Sequence, residues 1–360
     1  VTDLNVHGSD LVVATQGRSF WILDDVTPLR QLADSVASAD HFLFQPRPAY
    51  RASMGGFRGP EGPDGPPGPA VFDLYVKQVP DSAVAVEVTG PDGTVAARWS
   101  TDAAGGRPHE RSDDADEAGG ASAGTQPLEL KAGENRLEWD LRYPGPDLVE
   151  DAVMDLGYTG GPWAVPGPYT VHVSAPGWTE ERTFEVRKDP RLTDVTGEDL
   201  QAQFDLATAV RDTVTSIHDA LRALRSARGQ VEAAADRVEA GSFAPAVASR
   251  VRAAADSLAD RLDGLADELH NDRIHTGEDG INYPPRIDNQ LDFLYGHLHG
   301  AYGRPTEGSR QRFTDLEARL APIRRRVDAA LTDGVGAFNR LLDGAGVAPI
   351  VVPSRADTAG

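Results

Sequence analysis

Two hydrophobic periods divide this chain. Between residues 70 and 187 apolar and polar positions alternate. Phe72, Leu74 and Val76 are interleaved with Asp73, Tyr75 and Lys77, and Val84, Val86 and Val88 with Ala85 and Glu87. Beyond the turn Pro91-Asp92-Gly93 come Val95, Ala97 and Trp99, then Leu137, Trp139 and Leu141, then Tyr169, Val171 and Val173, and finally Phe184 and Val186. A period of two is that of strands with one buried face, and six or seven such strands predict an Ig-like or fibronectin-like β-sandwich over 70–190. From Thr196 the period lengthens. Thr196-Gly197-Glu198-Asp199 has the form of a capping box. Phe204, Ala207, Val210, Val214, Ile217, Leu221 and Leu224 then recur every three or four residues. A second helix is expected from Pro245 through Leu269, a third over Ile287 to Leu298, and a fourth from about Thr306 to Leu341. Pro322 is expected to bend the fourth or shift its start. Together they predict an antiparallel helical bundle over 196–345, followed by a tail, 346–360, that packs back as a short strand or extended segment.

Residues 1–52 read differently. Asp10 to Thr15 and Phe20 to Leu23 flank the turn Gln16-Gly17-Arg18-Ser19, which predicts a hairpin. A lone hairpin needs a sheet to join, so this one has the look of the tail of a larger β domain and of an adhesive edge. His41 to Phe44 predicts one further short strand. Residues 53–69 place Gly59, Gly62, Gly65 and Gly68 three apart among prolines, either as collagen-like triplets or, the reading favoured, as an extended linker. Residues 102–125 lack periodicity and read as a disordered insertion in the sandwich. The patterns of 70–187 and 196–342 each look complete, so both regions are expected to fold without 1–52.

Composition narrows the function. The chain has 360 residues with 56 acidic against 35 basic, a formal charge of −21. That balance argues against a nucleic-acid partner and against docking on anionic lipid. Among the basic residues only Lys77, Lys131 and Lys188 are lysine, and Asp outnumbers Glu. A GC-rich genome and a salt-adapted proteome account for this bias equally well, and both make the charge a solvated surface. The absence of cysteine excludes disulfides, thiolate metal sites and a thiol nucleophile. No apolar run is long enough to span a membrane. The opening VTDLNVHGSD shows no signal-peptide pattern, and Val1 reads either as a start or as a fragment boundary.

Few residues point to chemistry. His270, Asp272, His275, Glu278 and Asp279 are of metal-ligand type, but His270 and His275 lie five apart across a helix end, so a polar loop is the favoured reading. His297 and His299 face different sides of one helix and cannot chelate together. Asp113, Asp114, Asp116 and Glu117 lack the glycine and spacing of a calcium loop. No nucleophile elbow, zinc-protease helix or phosphate-binding glycine motif occurs, and no acid pair stands out for glycoside hydrolysis. No catalytic, cofactor or metal residue is therefore assigned. Four residues are candidates for interaction: Trp21, Trp163, Tyr283 and Arg286. Trp163, in Gly161-Pro162-Trp163-Ala164-Val165-Pro166-Gly167, either plugs the sandwich end or offers a ligand platform. Tyr283 and Arg286, in Asn282-Tyr283-Pro284-Pro285-Arg286, either form a recognition surface or pack beneath the bundle.

The stretch DLVVATQGRSFWILDDVTPLRQL (10–32) resembles the closing segment of sortilin/VPS10-like BNR-repeat β-propeller proteins, often labelled BNR glycosyl hydrolases. WDLRYPGP (139–146), GPYTVHV (167–173) and INYPPRIDNQLDFLYG (281–296) extend the resemblance along most of the chain. It implies a last propeller blade followed by a sandwich and a helical region. It also implies a secreted or cell-envelope setting and a role in docking on the chain's own or a separate propeller, or on a protein partner. The Asp-box S-x-D-x-G-x-x-W and the repeated blades are absent. The alternative the family label carries, part of a sialidase-like glycosyl hydrolase, therefore places its catalytic residues largely outside this chain.

Overall fold

The computed structural model describes residues 1–52, 70–103, 124–150, 152–154, 158–276 and 279–352. The Gly/Pro run 53–69, nearly all of the 102–125 insertion with its four acids, and Glu278 lie outside these residues. The protein mixes β and α structure in two compact units. One holds Val1–Gly145, Gly160–Phe204 and Tyr302–Arg304; the other holds Pro146–Thr159, Asp205–Ala301 and Pro305–Gly360.

The first unit begins with β1 (Asp3–His7), β2 (Asp10–Ala14) and β3 (Phe20–Leu23), then two single-turn helices, α1 (Thr27–Gln31) and α2 (Asp34–Ser38). Strands β4 (His41–Leu43), β5 (Ala49–Arg51), β6 (Ala70–Val76), β7 (Ala85–Thr89), β8 (Val95–Ser100), β9 (Gln126–Pro127), β10 (Gly133–Trp139), β11 (Gly167–Ala175) and β12 (Trp178–Lys188) follow. They form a three-stranded sheet ordered β10-β6-β4 and a six-stranded sheet ordered β5-β12-β11-β7-β8-β9. The alternation read from the sequence is what fills their common core. In β10, Asn135, Leu137 and Trp139 are buried while Glu134, Arg136 and Glu138 are not. Trp139 and Tyr169 from the two sheets pack with ring centroids 5.3 Å apart, and Phe72 and Phe184 pack edge to face at 5.2 Å. Asp73 is buried but lies opposite Arg136, whose Nε donates to it at 2.8 Å.

Leu141 does not continue β10 as its alternation predicts. The strand ends at Trp139, and Leu141, fully buried, takes a left-handed φ of +63°. Its carbonyl accepts the Ala164 amide at 2.7 Å, and Tyr143 donates its amide to Pro162. Residues 141–143 are thereby laced to 162–164. At Gly161 an added Cβ would stand 1.3 Å from the Tyr143 carbonyl oxygen, so the two backbones meet only because residue 161 is glycine. Gly161→Ala should therefore cost about 1–3 kcal/mol, read as a lower Tm. An unchanged Tm would show that this lacing is not tight.

The second unit is helical. Beyond α3 (Gly197–Ala240), whose first residues group with the β unit, it holds α4 (Pro245–Leu269), a 3-10 turn at Asp279–Ile281, α5 (Ile287–His299), α6 (Glu307–Ala329), a π turn at Ala330–Gly334 and α7 (Val335–Gly344). The capping box at the start of α3 forms: Thr196 N–H donates to Asp199 Oδ2 at 3.0 Å and Asp199 N–H to Thr196 Oγ1 at 3.2 Å. Val210, Val214, Ile217, Leu221 and Leu224 share one core with Val251, Leu262, Leu269, Leu291, Leu298 and Leu316. Pro322 neither shifts the start of α6 nor ends it. It lies on the exposed side, as does Ala318, whose carbonyl loses its helical donor to the proline and faces water. Residues 346–352 form no strand. Instead Asn339 and Gln230 each exchange two amide hydrogen bonds with the backbone of Ile350 and Val351, and Ile350 is buried.

Candidate docking surface

β1, β2 and β3 form an antiparallel sheet in that order. The sequence pattern predicts only β2 and β3. β1 was missed because Leu4 and Val6 are two apolar positions among Asp3, Asn5 and His7, too few to mark a strand. Pairing sets the faces. Leu4 lies opposite Val13 and Val6 opposite Leu11; Leu11 in turn faces Leu23, and Val13 faces Trp21. Directly opposed residues share a face, so Leu4, Val6, Leu11, Val13, Trp21 and Leu23 make one face with no polar member. Its exposure is high: Leu4 58%, Val6 57%, Trp21 59% and Leu23 49%. The other face mixes Phe20 and Ile22 with Asp3, Asn5, His7 and Asp10. No residue of the three strands belongs to either core cluster. β1 and β3 are edges that pair with no further strand among the described residues.

The root of this sheet is polar and ordered. The Asp25 amide donates to Asp10 Oδ1 at 3.0 Å, and Asp25 Oδ1 accepts the Thr27 amide at 3.0 Å. Arg47 lies 3.5 Å from Asp10 and 3.6 Å from Asp25. Asp25 is buried at a φ of +60°, a conformation Asp tolerates better than most residues. Arg30 adds a hydrogen bond to the Gly8 carbonyl at 2.9 Å. The apolar face thus belongs to a sheet anchored at one end, not to a free tail.

The other interaction candidates are placed differently. Trp163 is half-buried beneath the Arg142 guanidinium, 4.0 Å from its centroid, with Arg51 at 5.9 Å. Arg51 is itself buried, donates to Ala164 O and Gln203 Oε1, and has its pKa lowered to about 10 by burial, so it stays charged at neutral pH. Arg286 pairs with Asp267 at 2.5 Å, and Tyr283, half-buried, lies 5.6 Å from the Arg273 guanidinium. Of the four, Trp21 is the one standing on an open apolar face.

A second cluster is buried in the helical unit. His270 Nδ1 lies 2.5 Å from Asp288 Oδ2, and His218 Nε2 lies 3.7 Å from the same oxygen. His218 Nδ1 accepts the Val149 amide at 3.1 Å, which places the ring proton on Nε2, toward Asp288. Asp292, one helical turn beyond Asp288, is fully buried, and neither of its oxygens makes a hydrogen bond of ordinary geometry. Burial, and secondarily the Asp288 charge, raises its pKa well above the carboxylate range; the Tyr158 amide opposes this weakly. Burial lowers His218 to about 4 against the attraction of Asp288, and the charges of His270, Arg222 and Arg225 lower it further. His218 is therefore neutral at pH 7. All four side chains are shielded from solvent, and they link α3, the end of α4 and α5. The loop read for metal-ligand types does not close on itself: His270 turns inward, while His275 is exposed and its amide donates to Asp279. Among the described residues no group of three His, Asp or Glu side chains has the arrangement to hold a metal, and no helix is long and apolar enough to cross a membrane.

No protein-family model matches the chain, and no curated protein matches it.

Proposed function

We propose that this chain is an accessory docking region whose β1–β3 sheet lays its apolar face on a sheet of a β-propeller, its own or a separate one. The two-sheet unit would be an Ig-like sandwich and the helical unit an antiparallel bundle, both serving as scaffold. The observation that carries this reading is the uncovered face of Leu4, Val6, Leu11, Val13, Trp21 and Leu23. A contiguous exposed apolar patch marks an interaction site. A sheet with one such face and two edges unpaired among the described residues suits another sheet better than a groove or a small ligand. Propeller blades stack face to face in this manner, in keeping with the resemblance of residues 10–32 to a last blade.

The test is light scattering of the intact chain beside the double variant Leu4→Glu, Trp21→Glu. The uncovered face should drive concentration-dependent association of the native chain. The double variant should stay monomeric with an unchanged Tm, because neither side chain contributes to a core. A sortilin-type propeller lacking its final blade should bind the native chain and not the variant. A native chain that is monomeric at about 100 µM, with Trp21 emission already blue-shifted and no binding to that propeller, would overturn the proposal.

A further inference from the structure

The helical unit carries a pocket of about 560 Å³ between α5 and the first turns of α6, within the size range of small-molecule sites. Phe293, Leu294 and His297 line it from α5; Thr306, Ser309 and Arg312 line it from α6. Two features bear on what it could hold. First, no Asp or Glu is among the lining residues, although the protein carries 56 of them and a net charge of −21. Second, Arg312 has no carboxylate partner among the described residues. Its Nη2 donates to Gln290 Oε1 at 3.0 Å, the oxygen that also accepts from Arg319 at 2.8 Å. Gln290 is held in that orientation by its own amide, which donates to the Pro285 carbonyl at 3.0 Å. Two guanidiniums thus share one neutral acceptor, and the Nε and Nη1 donors of Arg312 remain open. Half of the other described arginines of the helical unit, Arg252 and Arg326 among them, lie against carboxylates.

α5 supplies apolar surface beside its polar Gln290 and His297. Phe293 is 60% exposed, an orientation that leaves an aromatic face uncovered one turn before His297. The amino-terminal turn of α6, with Thr306 capping the Ser309 amide, adds its positive end to the same side as Arg312. An exposed aromatic ring and a guanidinium without a carboxylate partner, lining one concave space, complement one class of molecule.

We propose that this pocket binds a small organic carboxylate with a planar apolar body, the carboxylate on Arg312 and the ring system against Phe293. A carboxylate can take an open donor of Arg312 while Nη2 stays on Gln290, and the ring covers the exposed face of Phe293. The proposal is independent of the docking role of the β1–β3 sheet.

Calorimetric titration of the intact chain with 2-naphthoate tests it, with 2-naphthalenemethanol and inorganic phosphate as comparison probes. Saturable 1:1 binding of 2-naphthoate is expected, with the neutral alcohol and phosphate each weaker by about tenfold or more, since each supplies only half of the recognition. Arg312→Gln should weaken 2-naphthoate by about tenfold or more and abolish its preference over the alcohol. Phe293→Ser should weaken 2-naphthoate and leave phosphate unaffected. Arg325→Gln, an exposed arginine of the same helix outside the pocket, should change nothing. Both pocket positions are exposed, so circular dichroism should show native folding in every variant. No saturable binding of 2-naphthoate, equal binding of the alcohol, or indifference to Arg312→Gln in a folded variant would each overturn the proposal.

Discussion

A chain lacking residues 1–52 is expected to lose the cooperative unfolding transition of its β unit, whereas a chain lacking only residues 1–24 should keep it. The reason lies in β4 and β5. β4 pairs with β6 along His41–Leu43 and forms an edge of the three-stranded sheet; β5 pairs in parallel with β12 and forms an edge of the six-stranded one. Leu43, Phe44, Ala49 and Arg51 are all buried, and the Leu43 amide donates to Glu180 at 3.1 Å. Removing one large buried apolar side chain costs about 2–5 kcal/mol. Losing two, together with the hydrogen bonds of two strands, approaches the whole stability of a domain, about 5–15 kcal/mol. Residues 1–24 bury nothing in either core. Differential scanning calorimetry and near-ultraviolet circular dichroism distinguish the two deletions. A residue 53–360 chain that still melts cooperatively, within a few degrees of the full chain, would show that β4 and β5 are dispensable.

Asp288→Ala should destabilise the helical unit by about 1–3 kcal/mol, the cost of leaving a buried hydrogen-bonding group without its partner. His270 would lose the partner of its Nδ1, and His218 the carboxylate 3.7 Å from its Nε2. Urea unfolding at pH 7 measures the change; a loss below about 1 kcal/mol would show that the cluster is not a structural tie. The same cluster predicts a pH dependence. The folded-state pKa of His218 is depressed from its ordinary value to about 4, so between about pH 6.5 and 4 the unfolded chain binds the extra proton. His218 therefore contributes its full stability above about pH 6.5, and up to about 3 kcal/mol is lost as pH falls to 4. Asp292 has the opposite sign. Its raised pKa favours the folded state most below the ordinary carboxylate value, and this is lost as pH rises through the folded-state value. Replacing His218 with Gln should flatten the slope of stability between pH 6.5 and 4.5. An unchanged slope would place the acid sensitivity elsewhere.

Much of the fold was legible in local pattern. The alternation at Leu137 and Trp139, the 3.6-residue recurrence from Val210 to Leu224, Pro245 at a helix start and the Thr196–Asp199 box each rest on neighbours within a few residues. Their side chains point where backbone geometry sends them. Leu141 was misread because alternation records polarity and not φ. Pro322 leaves the start of α6 at Glu307, which the sequence alone did not decide.

The candidate surface was half legible. Phe20-Trp21-Ile22-Leu23 marks itself as a strand, but the single-sided apolar face exists only through the register that sets Leu4 against Val13 and Val13 against Trp21. The roles of Trp163 and Arg286 depended on Arg142, Arg51 and Asp267, partners that no spacing in the chain announces. His270 and Asp288 stand eighteen residues apart, and His218 comes from yet another helix.

The sequence by itself determined where the longer strands and helices lie, that the chain is acidic and without thiol chemistry, and that the segment 10–23 is apolar strand. The tertiary structure alone decided which apolar residues are covered, which arginines have acidic partners, and that β4 and β5 belong to the sheets of the first unit. Local periodicity follows from the repeat of one element, whereas burial and ion pairing follow from contacts between elements distant in sequence. In a chain with 56 carboxylates, spacing does not distinguish the few that matter, because only packing removes water from them and shifts their protonation.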